Sequence, residues 1–315
     1  CTQQPVKTTQ NPNIKMVSTF DVALDMKSQK QLESEFDNYL NPKNLDTWMM
    51  HMSSKPHHVG SPWSKQNAEY AANKFKEWGY ESAVETFEVL VPFPKIRKLS
   101  MVEPEKVELK LYEPAVEGDR SSEMTKDVLP GYNAFSADGN VTGDLVFVNY
   151  GLNEDYEELK RMGINVKGKI VIAKYGRSFR GIKPKIAYEQ GAIGCIMYSD
   201  PKDDGYVVGD VYPIGPYRNE FGIQRGSVLD MPARPGDALT PGYAATKDAE
   251  RLSIDEAPTI MKIPVMPISY ADALLKYGTD KPDLRNPLVI NDITEIFSRD
   301  DVSFDIFKKL VKSGS

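Results

Sequence analysis

The amino-acid sequence predicts an α/β protein with a β-rich middle part and flanking helices. Two observations indicate this class. A helical stripe over Ser64–Trp78 ends at Gly79 and is followed by the alternating, strand-like segment Glu81–Val91. Further on, a helix predicted over Pro184–Gln190 ends at a glycine and leads into the apolar run Ala192–Ser199, a predicted buried strand. A helix, a glycine and a strand in direct succession are typical of α/β proteins.

The other elements follow from the same patterns. The amphipathic segment Met26–Leu40 predicts a first helix that ends before Asn41-Pro42, and Asn44–Met52 predicts a short second one. Further helices are predicted over Asp155–Met162, from Ala271 to Lys276 and over Ser303–Lys312. Strands are predicted over Lys98–Val102, Val107–Tyr112, Asp144–Asn149, Lys169–Lys174 and, as a proline-interrupted edge strand, Ile263–Ile268.

Composition limits the classes of function. A chain of 315 residues is long enough for about two structural units. Its net charge of −6 argues against nonspecific nucleic-acid binding, which requires basic surfaces, and no apolar run is long enough to span a bilayer. Two cysteines cannot form a disulfide framework, and Cys195 lies in an apolar run, which favours a buried core thiol.

The first residues predict a lipid anchor. The sequence starts with Cys1, and a polar tail without hydrophobic periodicity follows it. This is the pattern of a mature bacterial lipoprotein, with lipidation at Cys1, a flexible tether over residues 1–20 and a location in the bacterial cell envelope. Membrane contact would then occur only through the lipid anchor. The alternative explanation is an arbitrary start of the chain.

Several segments together resemble one family of enzymes. They include KPHHVGSP (55–62), ETFEVLVPFP (85–94), FSADGNVTGDLVFVNYG (135–151), KGKIVIAKYGRSFRGIKPKIAYEQGAIGCIMYSDP (167–201), QRGSVLDMPARPGDALTPGY (224–243) and IPVMPISYADA (263–273). In this order, they resemble the glutamate carboxypeptidase II-like zinc peptidases and their protease-associated domain. The family also contains a non-catalytic member, the transferrin receptor, so the resemblance does not by itself imply catalysis.

The resemblance implies a division of the chain. Residues 21–92 correspond to the first helices and strand of a peptidase-like domain, 93–267 to the inserted protease-associated domain that forms a lid, and 268–315 to the return into the peptidase domain and a divergent tail. The zinc ligands and catalytic glutamate of the family lie beyond the matching region. The last histidine of this chain is His58, so no catalytic residue can be assigned. Zinc is expected in the full-length family enzyme, and no cofactor is expected to be held by this chain.

Two substrate-binding residues are implied by the same resemblance. Arg180 occupies the arginine position of the family motif YGxxFRG, and in glutamate-releasing members that arginine binds the free carboxylate of the substrate. A guanidinium suits this role because it offers a rigid pair of donors. A structural ion pair is the alternative role for Arg180. Ser227 stands where glutamate-specific members have asparagine, and its shorter side chain argues against a strict preference for glutamate.

Two further groups were weighed as metal ligands. The positions of Thr240 and Tyr243 contribute carbonyl oxygens to a calcium site in relatives, but the other ligands are missing here, which favours a simple turn. His57 and His58 are adjacent, so their side chains diverge and cannot readily chelate one ion.

Two functions remain open at this stage. The first is the N-terminal and lid portion of a zinc exopeptidase, which would recognise a peptide or an N-acyl amino acid; alone, it is predicted to be inactive. The second is a non-catalytic protease-associated-domain protein that binds peptides or a protein partner. A homodimer is compatible with both. An exposed apolar face at residues 45–90 would favour the first function.

Overall fold

The computed structural model describes residues 26–274, which fall into two compact units divided between Ser54 and Lys55. The first unit contains helices α1 (Met26–Tyr39) and α2 (Pro42–Ser53), as predicted. Asn41 caps α2, since its side chain accepts a hydrogen bond from the backbone N–H of Lys43 at 3.0 Å.

A four-stranded parallel sheet forms the centre of the second unit. Its strands, in spatial order, are β4 (Leu145–Phe147), β5 (Ile170–Lys174), β6 (Gly194–Tyr198) and β8 (Val265–Pro267). β8 therefore lies at an edge, as the proline-interrupted pattern predicts. The register places Val171 beside both Val146 and Cys195, and Cys195 beside Val265.

Helices connect the strands of this sheet, because parallel strands require crossover connections. At the start of the helix after β4, the side chain of Asp155 accepts a hydrogen bond from the backbone N–H of Leu152 at 3.0 Å. The mixed α/β class is therefore confirmed. The helices of this unit are α3 (Pro62–Glu77), α4 (Asn153–Arg161), α5 (Ile182–Glu189), α6 (Pro201–Asp204) and α7 (Tyr270–Leu274).

The core lies on both faces of the sheet. Val171, Ala173 and Met197 point to one face and are fully buried, while Ile172 and Tyr198 point to the other. Near-continuous apolar runs are typical of parallel strands covered on both sides. The prediction of a buried thiol is confirmed, since Cys195 is 2% exposed and burial raises its pKa to about 12.

The predicted strand over Glu81–Val91 is wrong, since this segment has no strand. The backbone N–H of Glu88 donates to the Ala245 carbonyl oxygen, whereas the N–H of Leu90 donates to a carboxylate oxygen of Asp237. Two bonds to unrelated partners do not make a ladder.

Two short strand pairs complete the second unit. The strands predicted over Lys98–Val102 and Val107–Tyr112 are shorter in the structure. They form an antiparallel pair, β1 (Ser100–Met101) and β2 (Val107–Glu108). A parallel pair joins β3 (Asn133–Ala134) to β7 (Gly226–Ser227), which brings two distant segments together.

Some predictions concern residues outside the described part. The tether over 1–20, lipidation at Cys1 and the helix over Ser303–Lys312 lie there, as do the last two residues of the helix predicted from Ala271 to Lys276. Within residues 26–274, no helix is both long and apolar enough to cross a membrane. The predicted domain boundaries at 92 and 267 remain predictions.

Candidate functional site

The candidate site is built around the loop between β5 and α5, residues 175–181, which we call the arginine loop. At its start, the backbone N–H of Tyr175 donates to the Tyr198 carbonyl oxygen at 2.8 Å, so the loop leaves the buried sheet from a fixed point. Gly176 then adopts a φ of +101° and Arg177 a φ of +59°. Left-handed backbone at a non-glycine residue is uncommon, and it turns this loop sharply towards α5.

Arg180 lies near the end of the arginine loop and is partly exposed. Its Nη1 donates to the backbone carbonyl oxygen of Ser227 at 3.4 Å, a long hydrogen bond. Its Nε is buried and has no hydrogen-bond partner within residues 26–274. The structure thus brings Arg180 and Ser227, the two predicted substrate-binding residues, together.

Acidic side chains in this region are bound to other cations. Asp230 pairs with Lys185 at 2.7 Å, and Asp204 pairs with Arg218 at 2.9 Å. Arg180 makes no ion pair among the described residues. Its closest oxygen partner is a neutral carbonyl, so the structural ion pair weighed as its alternative role is not formed within residues 26–274.

Gly226 makes room for the guanidinium. A Cβ atom at this position would lie 2.7 Å from Cζ of Arg180, closer than side-chain atoms approach one another. Its φ of +144° also favours glycine. The neighbouring Ser227 uses its hydroxyl oxygen to accept a hydrogen bond from the backbone N–H of Leu229 at 3.1 Å. Its side chain is therefore engaged in the local turn, while its carbonyl oxygen faces Arg180.

A buried polar network joins the arginine loop to β3 and β7. The hydroxyl of Tyr175 donates to the carbonyl oxygen of Gln224 and accepts a hydrogen bond from Nδ2 of Asn133, both at 3.1 Å. Burial raises the pKa of Tyr175 far above its ordinary value, so the hydroxyl keeps its proton. The network fixes the distance between the two segments that carry Arg180 and Ser227.

The side chains that could bind a metal ion are not arranged as a metal site in the described residues. Within residues 26–274, no cluster of three or more histidine, cysteine, aspartate or glutamate side chains could hold one. Nδ1 of His57 lies 3.0 Å from the backbone oxygen of Lys55, and Nδ1 of His58 is buried without a partner. The described residues therefore do not fit a two-zinc centre.

Thr240 and Tyr243 form a tight turn. The backbone N–H of Tyr243 donates to the Thr240 carbonyl oxygen at 3.3 Å, and Gly242 adopts a φ of +90°. Proline at the second position and a left-handed glycine at the third are typical of a type II turn. The Thr240 carbonyl oxygen, one of the two calcium ligands suggested by resemblance, is thus already a hydrogen-bond acceptor.

Comparison with known proteins identifies the family. Residues 141–230, which contain the sheet strands β4 to β6 and the arginine loop, match the PA domain family. A probable glutamate carboxypeptidase of Arthroderma benhamiae is 37% identical over 220 residues, which is 68% of this chain and 29% of the relative. The chain belongs to the glutamate carboxypeptidase II-like family.

Other relatives agree with this assignment. The glutamate carboxypeptidase 2 homolog of Caenorhabditis elegans is 32% identical, with 77% of this chain and 33% of the relative covered. Vacuolar protein sorting-associated protein 70 of Saccharomyces cerevisiae is 35% identical, with 64% of this chain and 26% of the relative covered. The chain therefore spans about a third or less of the length of these curated relatives.

Among solved structures, the zinc aminopeptidase BSAP of Bacillus subtilis matches at 15% sequence identity and a TM-score of 0.34. The match covers 73% of this chain and 39% of the BSAP chain. This TM-score is too low to support any conclusion. The presence of a PA domain, and the recognition of the glutamate carboxypeptidase II-like family from its segments, are both confirmed by the sequence matches.

The predicted location in the bacterial cell envelope is wrong. The three relatives named above and a probable glutamate carboxypeptidase of Zea mays are proteins of fungi, a nematode and a plant, and the yeast protein is named for vacuolar protein sorting. The prediction depended only on Cys1 and the polar residues that follow it.

Sequence reasoning missed three residues that shape the site. Gly226 was overlooked because nothing in the sequence shows that a guanidinium lies against it. Asn133 belongs to a strand of only two residues, which is too short to produce a pattern. Lys183 is fully buried in the first turn of α5, whereas a lysine in a sequence is normally read as exposed.

Proposed function

We propose that this chain supplies the substrate-recognition part of a glutamate carboxypeptidase-like peptidase, and that Arg180 binds the free carboxylate of a peptide or an N-acyl amino acid. The proposal depends on one observation: the guanidinium of Arg180 is held in position, but no negatively charged group among the described residues pairs with it. The guanidinium of Arg180 rests on a neutral carbonyl oxygen, has a buried Nε without a partner and makes no ion pair within residues 26–274.

The chemistry of a guanidinium matches this ligand. Two parallel N–H donors form a planar fork that meets both oxygens of a carboxylate, and charge-assisted hydrogen bonds of this kind are about twice as strong as neutral ones. Arginine also stays protonated when partly buried, so the site remains cationic at any physiological pH. The PA domain of this chain would therefore select ligands by their terminal charge.

Ser227 would limit selectivity for the ligand's side chain. Its hydroxyl oxygen already accepts the hydrogen bond from Leu229, and its side chain is too short to reach far into a neighbouring pocket. We therefore expect that ligands with small and with acidic side chains bind with similar affinity, provided that both have a free carboxylate.

Exposed apolar side chains support membership of a larger assembly. Such groupings mark surfaces that pack against other polypeptides. They favour this function over a free-standing, non-catalytic PA-domain protein, which would bind peptides or a partner without a peptidase domain. Zinc chemistry would be supplied outside residues 26–274. The exposed residues from the end of α3 to β1 are Phe75, which lies in the last turn of α3, and Trp78, Tyr80, Val84, Phe87, Val89, Val91, Phe93 and Ile96.

Ligand titration followed by backbone-amide NMR tests the proposal. The probes are N-acetyl-L-alanine and its neutral analogue N-acetyl-L-alaninamide, with N-acetyl-L-glutamate as a third ligand. We expect the two acids to shift the amide signals of the arginine loop and of Gly226, and the amide to leave them unchanged. The variant Arg180→Met should lose the response, whereas Arg234→Met, which removes an exposed arginine, should keep it.

Equal binding of the acid and its amide, or an unchanged response in Arg180→Met, would refute the role of Arg180. Binding by the chain that depends on apolar ligand groups rather than on the carboxylate would favour the non-catalytic alternative.

A further inference from the structure

A buried lysine lies directly behind the arginine loop. Lys183 is 0% exposed, although lysines are almost never fully buried unless their charge is paired. Its Nζ donates to the backbone oxygens of Tyr150 and Gly176, both at 2.7 Å, and to Oγ of Ser178 at 3.3 Å. All three N–H donors of the ammonium group are thus used, and none of these acceptors is a carboxylate.

The three acceptors come from two separate segments. Tyr150 follows β4, whereas Gly176 and Ser178 belong to the arginine loop after β5. One ammonium group therefore ties the start and the middle of the arginine loop to the neighbouring strand end. The backbone N–H of Lys183 also donates to the carbonyl oxygen of Arg180 at 3.3 Å, which fixes the end of the same loop.

A neutral residue could fill this space at a lower electrostatic cost. Burying a charge is expensive, and a hydrophobic residue of similar volume in place of a buried ionic group is often neutral or stabilising. A hydrophobic residue at this position would, however, have no N–H groups for the surrounding oxygen atoms. A methionine would leave the oxygens of Tyr150 and Gly176 without their donor, and the arginine loop would lose its internal anchor.

We propose that Lys183 is the positioning residue of the site: its buried ammonium group holds the arginine loop in the shape that presents Arg180. This inference rests on the proposed function, because Arg180 is the group that would bind the ligand. Lys183 itself has no exposed atom and acts only through the loop.

The charges around Lys183 come from every neighbouring element. Lys174 and Arg177 add positive charge on the ring of Tyr150, at 4.2 and 4.4 Å from its centroid, while Nζ of Lys183 lies 5.7 Å from it. Negative charge is supplied by three aspartates: Asp155 on α4, which binds Asn149, Asp200, which pairs with Lys174, and Asp203, which accepts the Tyr150 hydroxyl. The thiol of Cys195 on β6 is protonated at neutral pH.

The protonation state of Lys183 gives the arrangement a measurable signature. Burial lowers its pKa from 10.5 to about 8, against the smaller opposing effects of Cys195 and Asp155. Deprotonation removes one of the three donors and turns a lone pair towards an oxygen atom. A change at Arg180 as the pH rises through about 8 therefore reports on Lys183.

The effect on global stability has the opposite sign. Because the pKa of Lys183 is lower in the folded chain, the unfolded chain binds more protons between pH of about 8 and 10.5. Compared with a methionine variant, the wild type should thus gain stability as the pH rises through this window, while its arginine loop loses an anchor. For a lysine with a purely structural role, the pH dependence of global stability would not be accompanied by a change at Arg180.

The test is a pH titration of the Arg180 side chain without ligand, by carbon-detected NMR of its Cζ–Nε signal, assigned by its absence in Arg180→Met. We expect a shift with a midpoint near pH 8 in the wild type and in Lys160→Met, which removes an exposed lysine on α4. Lys183→Met should lose this step. Persistence of the step in Lys183→Met, its loss in Lys160→Met or its absence from the wild type would overturn the proposal.

Two features of this design keep the outcomes separate. Because no ligand is present, a failure of carboxylate binding does not affect the result, and the titration with N-acetyl-L-alanine tests the proposed function by itself. If Lys183→Met does not fold, the wild-type titration still decides: without a step near pH 8 at Arg180, the inference is wrong.

Discussion

Two segments of the second unit have strand-like sequences but different structures. Residues 170–174 form β5, which lies between β4 and β6 and is almost completely buried. Residues 81–91 have a partly alternating, strand-like sequence, yet they form no strand, and Phe87 is 48% exposed. The difference teaches that strand propensity becomes structure only where neighbouring segments supply a ladder and a core.

The contrast also separates two kinds of surface. The sheet of the second unit supports a preformed polar site, the arginine loop, on a rigid base. The segment 81–91 presents exposed apolar side chains and has no strand partner among the described residues. The following predictions test whether this contrast is energetic as well as geometric.

The largest effect is expected in the core of the sheet. Met197 is 0% exposed on β6, so Met197→Ala should lower the free energy of unfolding by about 2–5 kcal/mol. Urea denaturation followed by circular dichroism measures the change. A loss below about 1 kcal/mol would mean that this sheet is not the main source of stability.

A buried ion pair should give the next largest effect. Lys174 and Asp200 are 8% and 9% exposed and lie 3.3 Å apart. Asp200→Asn keeps the side chain that caps α6 but removes the charge, and should cost about 3 kcal/mol or more. The matched exposed pair is Lys169 with Asp144, where Asp144→Asn should cost less than about 1 kcal/mol. Similar losses in both variants would contradict the distinction between buried and exposed pairs.

This pair also has a defined pH dependence. Burial lowers the pKa of Lys174, but hydrogen bonds to Tyr150 and Asp200 outweigh it and raise the pKa above 10.5. The stabilisation is then present below the ordinary pKa of lysine and is lost as the pH rises through the raised value. The difference in unfolding free energy between the wild type and Asp200→Asn should therefore shrink at strongly alkaline pH.

Much of this fold was predictable from sequence, and the reasons are local. Met26–Tyr39, Pro62–Glu77 and the buried strands β5 and β6 have strong periodicity and clear ends, so their patterns suffice. The strand predicted over 81–91 failed because its pattern contains no information about a partner strand.

The candidate site was predictable only through resemblance. The motif around Arg180 and Ser227 directed attention to both residues, but their contact depends on the pairing of β3 with β7, which links positions 93 residues apart. The burial of Lys183 also follows from tertiary structure, since nothing in the sequence of α5 distinguishes it from Lys185, which is partly exposed.

Gly226→Ala should have an intermediate effect, with a specific consequence at the site. Backbone strain at its positive φ should cost about 1–3 kcal/mol, and the new Cβ would displace the guanidinium of Arg180. Gly236→Ala is the control, because Gly236 also has a positive φ, but nothing lies within 4 Å of a Cβ there. Only Gly226→Ala should lose carboxylate binding by NMR titration; equal loss in both variants would show that strain alone is responsible.

The smallest effect is expected in the segment without a ladder. Phe87→Ala should change the free energy of unfolding of this chain by no more than about 0.5 kcal/mol, because the ring is already half-exposed. Urea denaturation, as for Met197→Ala, provides the comparison. A loss as large as that of Met197→Ala would show that residues 81–91 belong to the folded core, and the contrast between the two segments would fail.

The central claim, that Arg180 is a preformed receptor for a carboxylate, is tested most directly by a crystal structure of this chain with N-acetyl-L-alanine. The account predicts a carboxylate oxygen at about 2.7–2.9 Å from Nη2 of Arg180, with Nη1 still on the carbonyl oxygen of Ser227. A carboxylate bound elsewhere, or a guanidinium turned to an acidic side chain of the chain itself, would contradict it.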